Sequence, residues 1–153
     1  MYYFLKEDLD ELNRRLTDLR TKADLVKREK GEFTKQSAET WHDNAPFEEA
    51  ERQYKLLSSQ LGELLRLKEQ AQEVEPPFSK NKVAIGLKVT FKDMASGALT
   101  TFMVGSYMVL VNEESNISYA SPLAQLILGA RVGEIREGIV GSSWKTLKVT
   151  KIE

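Results

Sequence analysis

The chain has 153 residues, a formal net charge of −1 and no cysteine. That length suits one ordinary domain or two small ones, and the composition excludes disulfides and thiolate metal sites. The charge total makes no global case for nucleic-acid affinity. Residues 1–75 nevertheless carry 13 basic and 17 acidic side chains against nine and six in 76–153, so local patches matter more than the sum.

The opening Met1-Tyr-Tyr-Phe-Leu-Lys is too short for the apolar region of a signal peptide. No stretch approaches the roughly 18 apolar residues of a membrane span. A soluble cytoplasmic protein without membrane contact is expected.

Leu5, Leu9, Leu12, Leu16, Leu19, Ala23 and Val26 alternate spacings of four and three, the a/d seam of a coiled coil. Glu7, Asp8, Asp10 and Glu11 crowd the start of this helix, where its dipole favours acids. Gly31 and Lys30 interrupt the seam, which predicts a weak or slightly bent stretch before Phe33 resumes it. The seam itself is a plain packing stripe.

From Gln36 to Glu51 the chain carries five acids (Glu39, Asp43, Glu48, Glu49, Glu51) and no Lys or Arg. From Arg14 to Lys35, eight basic residues face four acidic ones. This acidic knob on a basic stalk, with a tip near 39–49, places function at the tip of a helical hairpin. The stalk residues Arg14, Arg15, Lys22, Lys27, Arg28 and Lys30 form an ordinary solvated face, or a surface that lies along RNA or an acidic protein channel without base readout.

Asn44 is the expected N-cap of a second helix, with Pro46 in its first turn. Phe47, Ala50, Tyr54, Leu57, Leu61, Leu64, Lys68 and Ala71 repeat the alternation of three and four. Folding about Asn44-Ala45 sets Phe33 beside Leu57, Val26 beside Leu64 and Leu19 beside Ala71, in an antiparallel pair about 45 Å long.

Pro76-Pro77 is expected to stop this helix and Phe78 to Lys82 to form a linker. The predicted division is therefore 1–77 and 78–153. Beyond it the period changes to two. Strands are predicted over Ile85–Lys92, Leu99–Val104, Tyr107–Val111, Ile117–Tyr119, around Ile135 between Gly133 and Gly138, and from Trp144 to Ile152. Ser121 as N-cap, Pro122 at the first position and Gly129 past the end predict a short helix over Leu123–Leu128. The fold class is α+β: an antiparallel two-helix coiled-coil hairpin, then a small antiparallel sheet with one short helix.

Nucleophilic catalysis has little support, because His42 is the single histidine and no nucleophile motif or phosphate-binding glycine loop accompanies it. His42 beside Asp43 is more simply an inert tip residue than a metal ligand. The acidic tip has two readings. Either its glutamates favour a helix start, or it presents a carboxylate to a cation it does not hold alone. Mg²⁺ is the ion that takes one or two protein carboxylates together with phosphate oxygens.

Two stretches together resemble the bacterial Gre transcript-cleavage factors (GreA/GreB-like). Asp43-Asn44-Ala45-Pro46-Phe47, with Ala50 and Gln53 after it, is similar to the family's Glu-Asn-Ala-Glu-Tyr tip. Ile117-Ser-Tyr-Ala-Ser-Pro-Leu-Ala-Gln-Leu-Ile-Leu-Gly129, continued by Val132-Gly-Glu, is similar to its second-domain signature. The resemblance covers essentially the whole chain in domain order and length. It implies an elongation factor that binds RNA polymerase, with an FKBP-like second domain docking at the rim of the secondary channel through Ser121, Pro122 and Leu123. It implies that the coiled coil enters the channel towards DNA-templated RNA synthesis. There Asp43, with Glu39 beside it, helps hold a Mg²⁺ shared with the polymerase, and the host cleaves its own backtracked RNA at the 3′ end. On this reading the protein is a monomer, binds no cofactor alone and has no enzyme activity of its own.

Cleaving members of that family carry Asp-x-x-Glu-Asn at the tip, and here Thr40 stands where the first Asp belongs. A non-cleaving channel regulator or inhibitor is the alternative. A remoter one, suggested only by the fold, is a peptidyl-prolyl isomerase using Phe91, Phe102, Tyr107, Tyr119 and Trp144 as pocket rings. A structural coiled-coil spacer would explain the seam but not the charge polarity.

Overall fold

A computed structural model describes residues 1–37 and 45–153, without the side chains of residues 33, 34, 36 and 37. The elements are β1 (Tyr2–Phe4), α1 (Lys6–Ser37), α2 (Ala45–Glu69), β2 (Ala71–Glu73), β3 (Lys88–Asp93), β4 (Leu99–Gly105), β5 (Asn116–Ser118), α3 (Pro122–Ile127), β6 (Ile135–Val140) and β7 (Ser143–Ile152). They form two compact units. One joins Met1–Glu11 to Ala71–Glu153, and the other is Leu12–Gln70. The boundary expected at 77/78 thus falls inside the first unit.

The helical unit confirms the seam. Leu12, Leu16 and Ala23 of α1 and Ala50 of α2 are buried. Each aliphatic side chain of the stripe withdrawn from water contributes about 1.5–3 kcal/mol, and that burial, more than propensity, holds two long helices together. Helix α1 runs unbroken through Gly31. Helix α2 begins at Ala45 with Pro46 in its first turn, as expected. The expected N-cap, Asn44, lies outside the described residues.

The pairing register differs from the expected one. Leu19 and Leu64 line the same groove, and Lys30 sits 3.6 Å from Glu51 and over the rings of Phe47 and Tyr54. The arms have therefore slipped by one heptad against the arrangement that set Val26 beside Leu64 and Leu19 beside Ala71. Such a slip keeps a and d positions facing a and d positions, so the stripe alone does not choose between the two.

Ala71 is not helical. α2 ends at Glu69, before the diproline, and Ala71–Glu73 pairs in parallel with Tyr2–Phe4. The short Tyr2–Phe4 strand is tied in on several sides. The Val74 amide donates to the Phe4 carbonyl at 2.8 Å and the Tyr107 amide to the Tyr3 carbonyl at 2.9 Å. Phe4 itself is fully buried.

The larger sheet has strand order β5-β4-β3-β7-β6. Three of its pairings are antiparallel, but β5 joins β4 in parallel, a departure from the expected all-antiparallel sheet. The alternation of strand side chains sends Val89, Phe91, Phe102, Val104, Leu147 and Val149 to one face, where they meet Val83, Ile127 and Ala130. Helix α3 covers this face. Gly138 sits inside β6, paired with Lys145, instead of bracketing it, and an added Cβ there would come within 2.9 Å of Leu126 Cδ1.

Tyr107–Val111, expected as a strand, is irregular. Its first amide, that of Tyr107, goes to Tyr3 of β1, and its last two, those of Leu110 and Val111, are taken by a side chain. The buried Asp8 carboxylate accepts from the Leu110 and Val111 amides at 2.7 and 2.9 Å and from the Ser106 hydroxyl. Asp8 thus does more than favour a helix start.

Candidate functional site

The site is built on the connection from β5 into α3. Ser121 adopts extended backbone (φ −66°, ψ 148°), and its hydroxyl accepts from the Ala124 amide at 3.3 Å. Pro122 follows as the first helical residue, where its missing N–H is no loss. The far end closes at Leu128, whose amide donates to the Ala124 carbonyl, and Gly129 takes φ 78°. The helix is a single short turn and a half, so what fixes it is its anchors.

Those anchors are local and dense. The Gln125 side chain donates to the Tyr119 carbonyl at 2.8 Å, and the Ser118 hydroxyl donates to the Tyr107 carbonyl at 2.7 Å. Backbone bonds from Tyr119 to Gly105 and from Ser121 to Ser118 complete the frame. Within it Ser121 and Leu123 are half-buried and Pro122 is exposed. Leu123 turns towards the core, which leaves Pro122 as the apolar group offered outward from a rigid corner.

Beside this corner lies a cluster of rings that the periodicity did not reveal. Tyr2 stacks on Tyr107 with centroids 3.9 Å apart, Tyr107 and Tyr119 are 6.4 Å apart, and Tyr3 and Tyr119 are 6.0 Å apart. The Tyr119 hydroxyl accepts from the Tyr3 amide. The adjacent Tyr2 phenol, by charge first and by hydrogen bonding second, pushes the Tyr107 hydroxyl above the usual tyrosine range. Tyr2 and Tyr3 sit at the chain start, about a hundred residues from their partners. Only the apolar run of Tyr2, Tyr3, Phe4 and Leu5 could have hinted at that strand, and it does not name the partners.

The five rings considered for an isomerase pocket are split three ways. Phe91 and Phe102 are buried in the core, Tyr107 and Tyr119 belong to the surface cluster, and Trp144 is exposed.

The basic residues of α1 do not form one stripe. At about 3.6 residues per turn, Arg15 and Lys22 flank the buried seam on one side and Lys27 on the other, with Arg14 and Arg28 on the outer face of α1. Arg14 also pairs with Asp18 at 2.7 Å. Lys30 is engaged inside the hairpin by Glu51 and two rings, so it is a packing residue. The expected catalytic and metal-binding carboxylates Asp43 and Glu39, together with Thr40 and His42, lie outside the described residues. Among the described residues, no three His, Cys, Asp or Glu side chains converge as a metal site, and no helix is long and apolar enough to cross a membrane.

Comparison with known proteins bears on both units. Residues 78–153 match the family model described as "Transcription elongation factor, GreA/GreB, C-term". A transcription elongation factor GreA from Mesomycoplasma hyopneumoniae is 29% identical over 92 residues, covering 60% of this chain and 58% of that protein. One from Neorickettsia sennetsu is 25% identical over 153 residues, covering 99% of this chain and 91% of its own length. Among solved structures, the GreA factor homolog Gfh1 of Thermus thermophilus aligns over 99% of this chain and 97% of its own, at 21% identity and a TM-score of 0.46. A GreA/GreB factor from Nitrosomonas europaea aligns over 99% and 98%, at 13% identity and a TM-score of 0.41. Residues 78–153 belong to the GreA/GreB C-terminal domain family, and the chain is a GreA/GreB-like protein.

Proposed function

We propose that this chain is a transcription elongation factor that binds RNA polymerase at its secondary channel and stimulates cleavage of backtracked RNA. The observation that carries this reading is the family match over residues 78–153, with the exposed Pro122 held at a rigid, ring-lined corner of that same segment. In this reading the FKBP-like second domain docks through Ser121, Pro122 and Leu123. The coiled coil enters the channel, and its basic residues, spread around α1, meet a negatively charged surround from several directions.

The tip then brings Asp43, with Glu39, to the polymerase. Carboxylates are the donors Mg²⁺ takes, and one or two of them suffice when phosphate oxygens complete its shell. When bound, that ion supplies charge neutralisation and an activated water for hydrolysis of the RNA backbone. The protein's own part is to deliver the carboxylates; it acts as a cytoplasmic monomer with no enzyme activity alone. Thr40 at the expected Asp position supports a second reading, a non-cleaving regulator of the same channel.

The test is a transcript-cleavage assay on stalled elongation complexes, with binding to the polymerase measured in parallel. Shortened RNA in the presence of the factor supports cleavage stimulation. Binding without shortening selects the regulator, and no binding overturns both.

A further inference from the structure

The face of the five-stranded sheet opposite α3 carries a second surface. The strand register lines up Leu99, Lys92, Lys148 and Ile135 in one row across β4, β3, β7 and β6. Towards the β6–β7 turn, Ile139 stands opposite Trp144, with Glu137 opposite Thr146 between them and the row. Residues two apart share a face. These residues therefore lie away from Phe91, Leu147 and Val149, which are core.

Exposed apolar residues taken singly need no explanation. Here four of them share one face, with Leu99 66%, Ile135 51%, Ile139 68% and Trp144 65% exposed. The charges between them are also arranged against stability. Lys92 and Lys148 are direct cross-strand partners, and like charges placed opposite each other repel. Among the described residues neither lysine has an ion-pair partner. Their neighbours by contrast are paired: Lys145 with Asp93, Arg136 with Glu134 and Lys151 with Glu153.

From this we propose that the outer sheet face is a docking surface for an acidic protein segment bearing aliphatic side chains. Its carboxylates meet Lys92 and Lys148, and its aliphatic groups cover Leu99, Ile135, Ile139 and Trp144. A carboxylate between the lysines relieves their repulsion, and the flanking apolar area is withdrawn from water at the same time. Single-stranded nucleic acid fits less well, because base stacking calls for several ring platforms and three of the four exposed apolar groups are aliphatic. The surface lies on the side of the sheet away from Ser121 and Pro122, so it stands apart from the polymerase-docking reading.

The test uses the full chain with Trp41→Phe, so that Trp144 is the reporting indole. The probes are a short synthetic helix with leucines on one face and glutamates elsewhere, the same helix with lysines for glutamates, and oligo-dT. Saturable change in Trp144 fluorescence with the acidic helix alone is expected, with amide shifts in the labelled protein confined to β3, β4, β6 and β7. Lys92→Glu with Lys148→Glu should weaken it about tenfold or more, while Lys92→Arg with Lys148→Arg retains it. If the double reversal fails to fold, the Lys92→Gln, Lys148→Gln pair carries the same comparison. Equal response to the lysine helix, tighter binding of oligo-dT, self-association through this face, or shifts mapping elsewhere overturns the proposal.

Discussion

Asp8 accepts a 2.7 Å hydrogen bond from the backbone amide of Leu110, 102 residues further along the chain. The Val111 amide and the Ser106 hydroxyl donate to the same buried carboxylate. Ser106 in turn accepts from the Leu5 amide. One acidic side chain therefore stands in for a strand partner at Leu110 and Val111 of the β4–β5 connection.

Removing it leaves three donors without this acceptor, two of them buried and the Val111 amide partly so. Asp8→Ala should cost about 3 kcal/mol or more, since hydrogen bonds to charged groups and orphaned buried donors both stand at the high end of the scale. Ser106→Ala should cost about 1–2 kcal/mol. The double variant should lose less than the sum, because the two share one bond. Urea unfolding of the four proteins measures this, and an Asp8→Ala cost below about 0.5 kcal/mol contradicts the assignment.

Asp93 supplies a pH dependence of known sign. Its carboxylate is held below the usual aspartate range, first by the Ala95 amide and then by the Lys145 ammonium. A depressed folded value means the contribution is present above the unfolded value of about 3.9 and is lost as pH falls through the folded one. Asp93→Asn should therefore lose stability at neutral pH and flatten the decline on acidification. Urea midpoints taken across that range show whether the slope changes; an unchanged slope removes Asp93 from the acid limb.

Much of this architecture was legible from spacing. The a/d stripes marked both helices, the Ser121-Pro122 pair marked α3, and the period of two marked β3, β4 and β7. What escaped has identifiable causes. A heptad stripe repeats on itself, so the slip that puts Leu19 with Leu64 was invisible without the contacts of Lys30. Three-residue strands such as Tyr2–Phe4 carry almost no periodic signal, and their pairing depends on partners far along the chain. Tyr107–Val111 is an apolar run that reads like a strand, yet a buried carboxylate claims the amides of Leu110 and Val111. The division at Pro76-Pro77 failed to anticipate that Phe4 and the β1–β2 pair complete the first unit. A fragment of 78–153 alone lacks that buried ring, and the full chain is the proper subject for binding work.

Pro122 is the residue through which docking is most cleanly tested. It is exposed, and the cap beneath it comes from Ser121. Pro122→Asn should weaken polymerase binding while leaving the melting temperature nearly unchanged. Unaltered binding moves the docking surface elsewhere.

The stalk residues should separate into two classes. Lys30→Gln removes the Glu51 pairing and two ring contacts and should lower hairpin stability, by about 1 kcal/mol at most given its partial exposure. Replacing Lys22, Lys27 and Arg28 with Gln should leave the melting temperature alone and weaken polymerase association. That effect should fade as salt passes physiological strength, where the screening length is about 8 Å. If the triple variant binds equally well at low salt, the stalk contributes packing only.

The tip decides between the two readings of function. Asp43 precedes the Asn-Ala pair of the family-like motif, whereas Glu48, Glu49 and Glu51 belong to α2, where helix-start electrostatics or local ion pairs explain them. Asp43→Asn keeps the shape of the side chain and removes the charge that a magnesium ion requires. In a cleaving factor this change should nearly abolish RNA hydrolysis at unchanged polymerase affinity. Glu39→Gln should give a smaller loss, since Glu39 stands one residue from the position that Thr40 occupies. Restoring the family pattern with Thr40→Asp should then raise cleavage, and it should create cleavage if the wild type has none. A wild-type chain that binds the polymerase, leaves backtracked RNA uncut and competes with a cleaving relative is the regulator, and Asp43→Asn will then alter nothing in the cleavage assay.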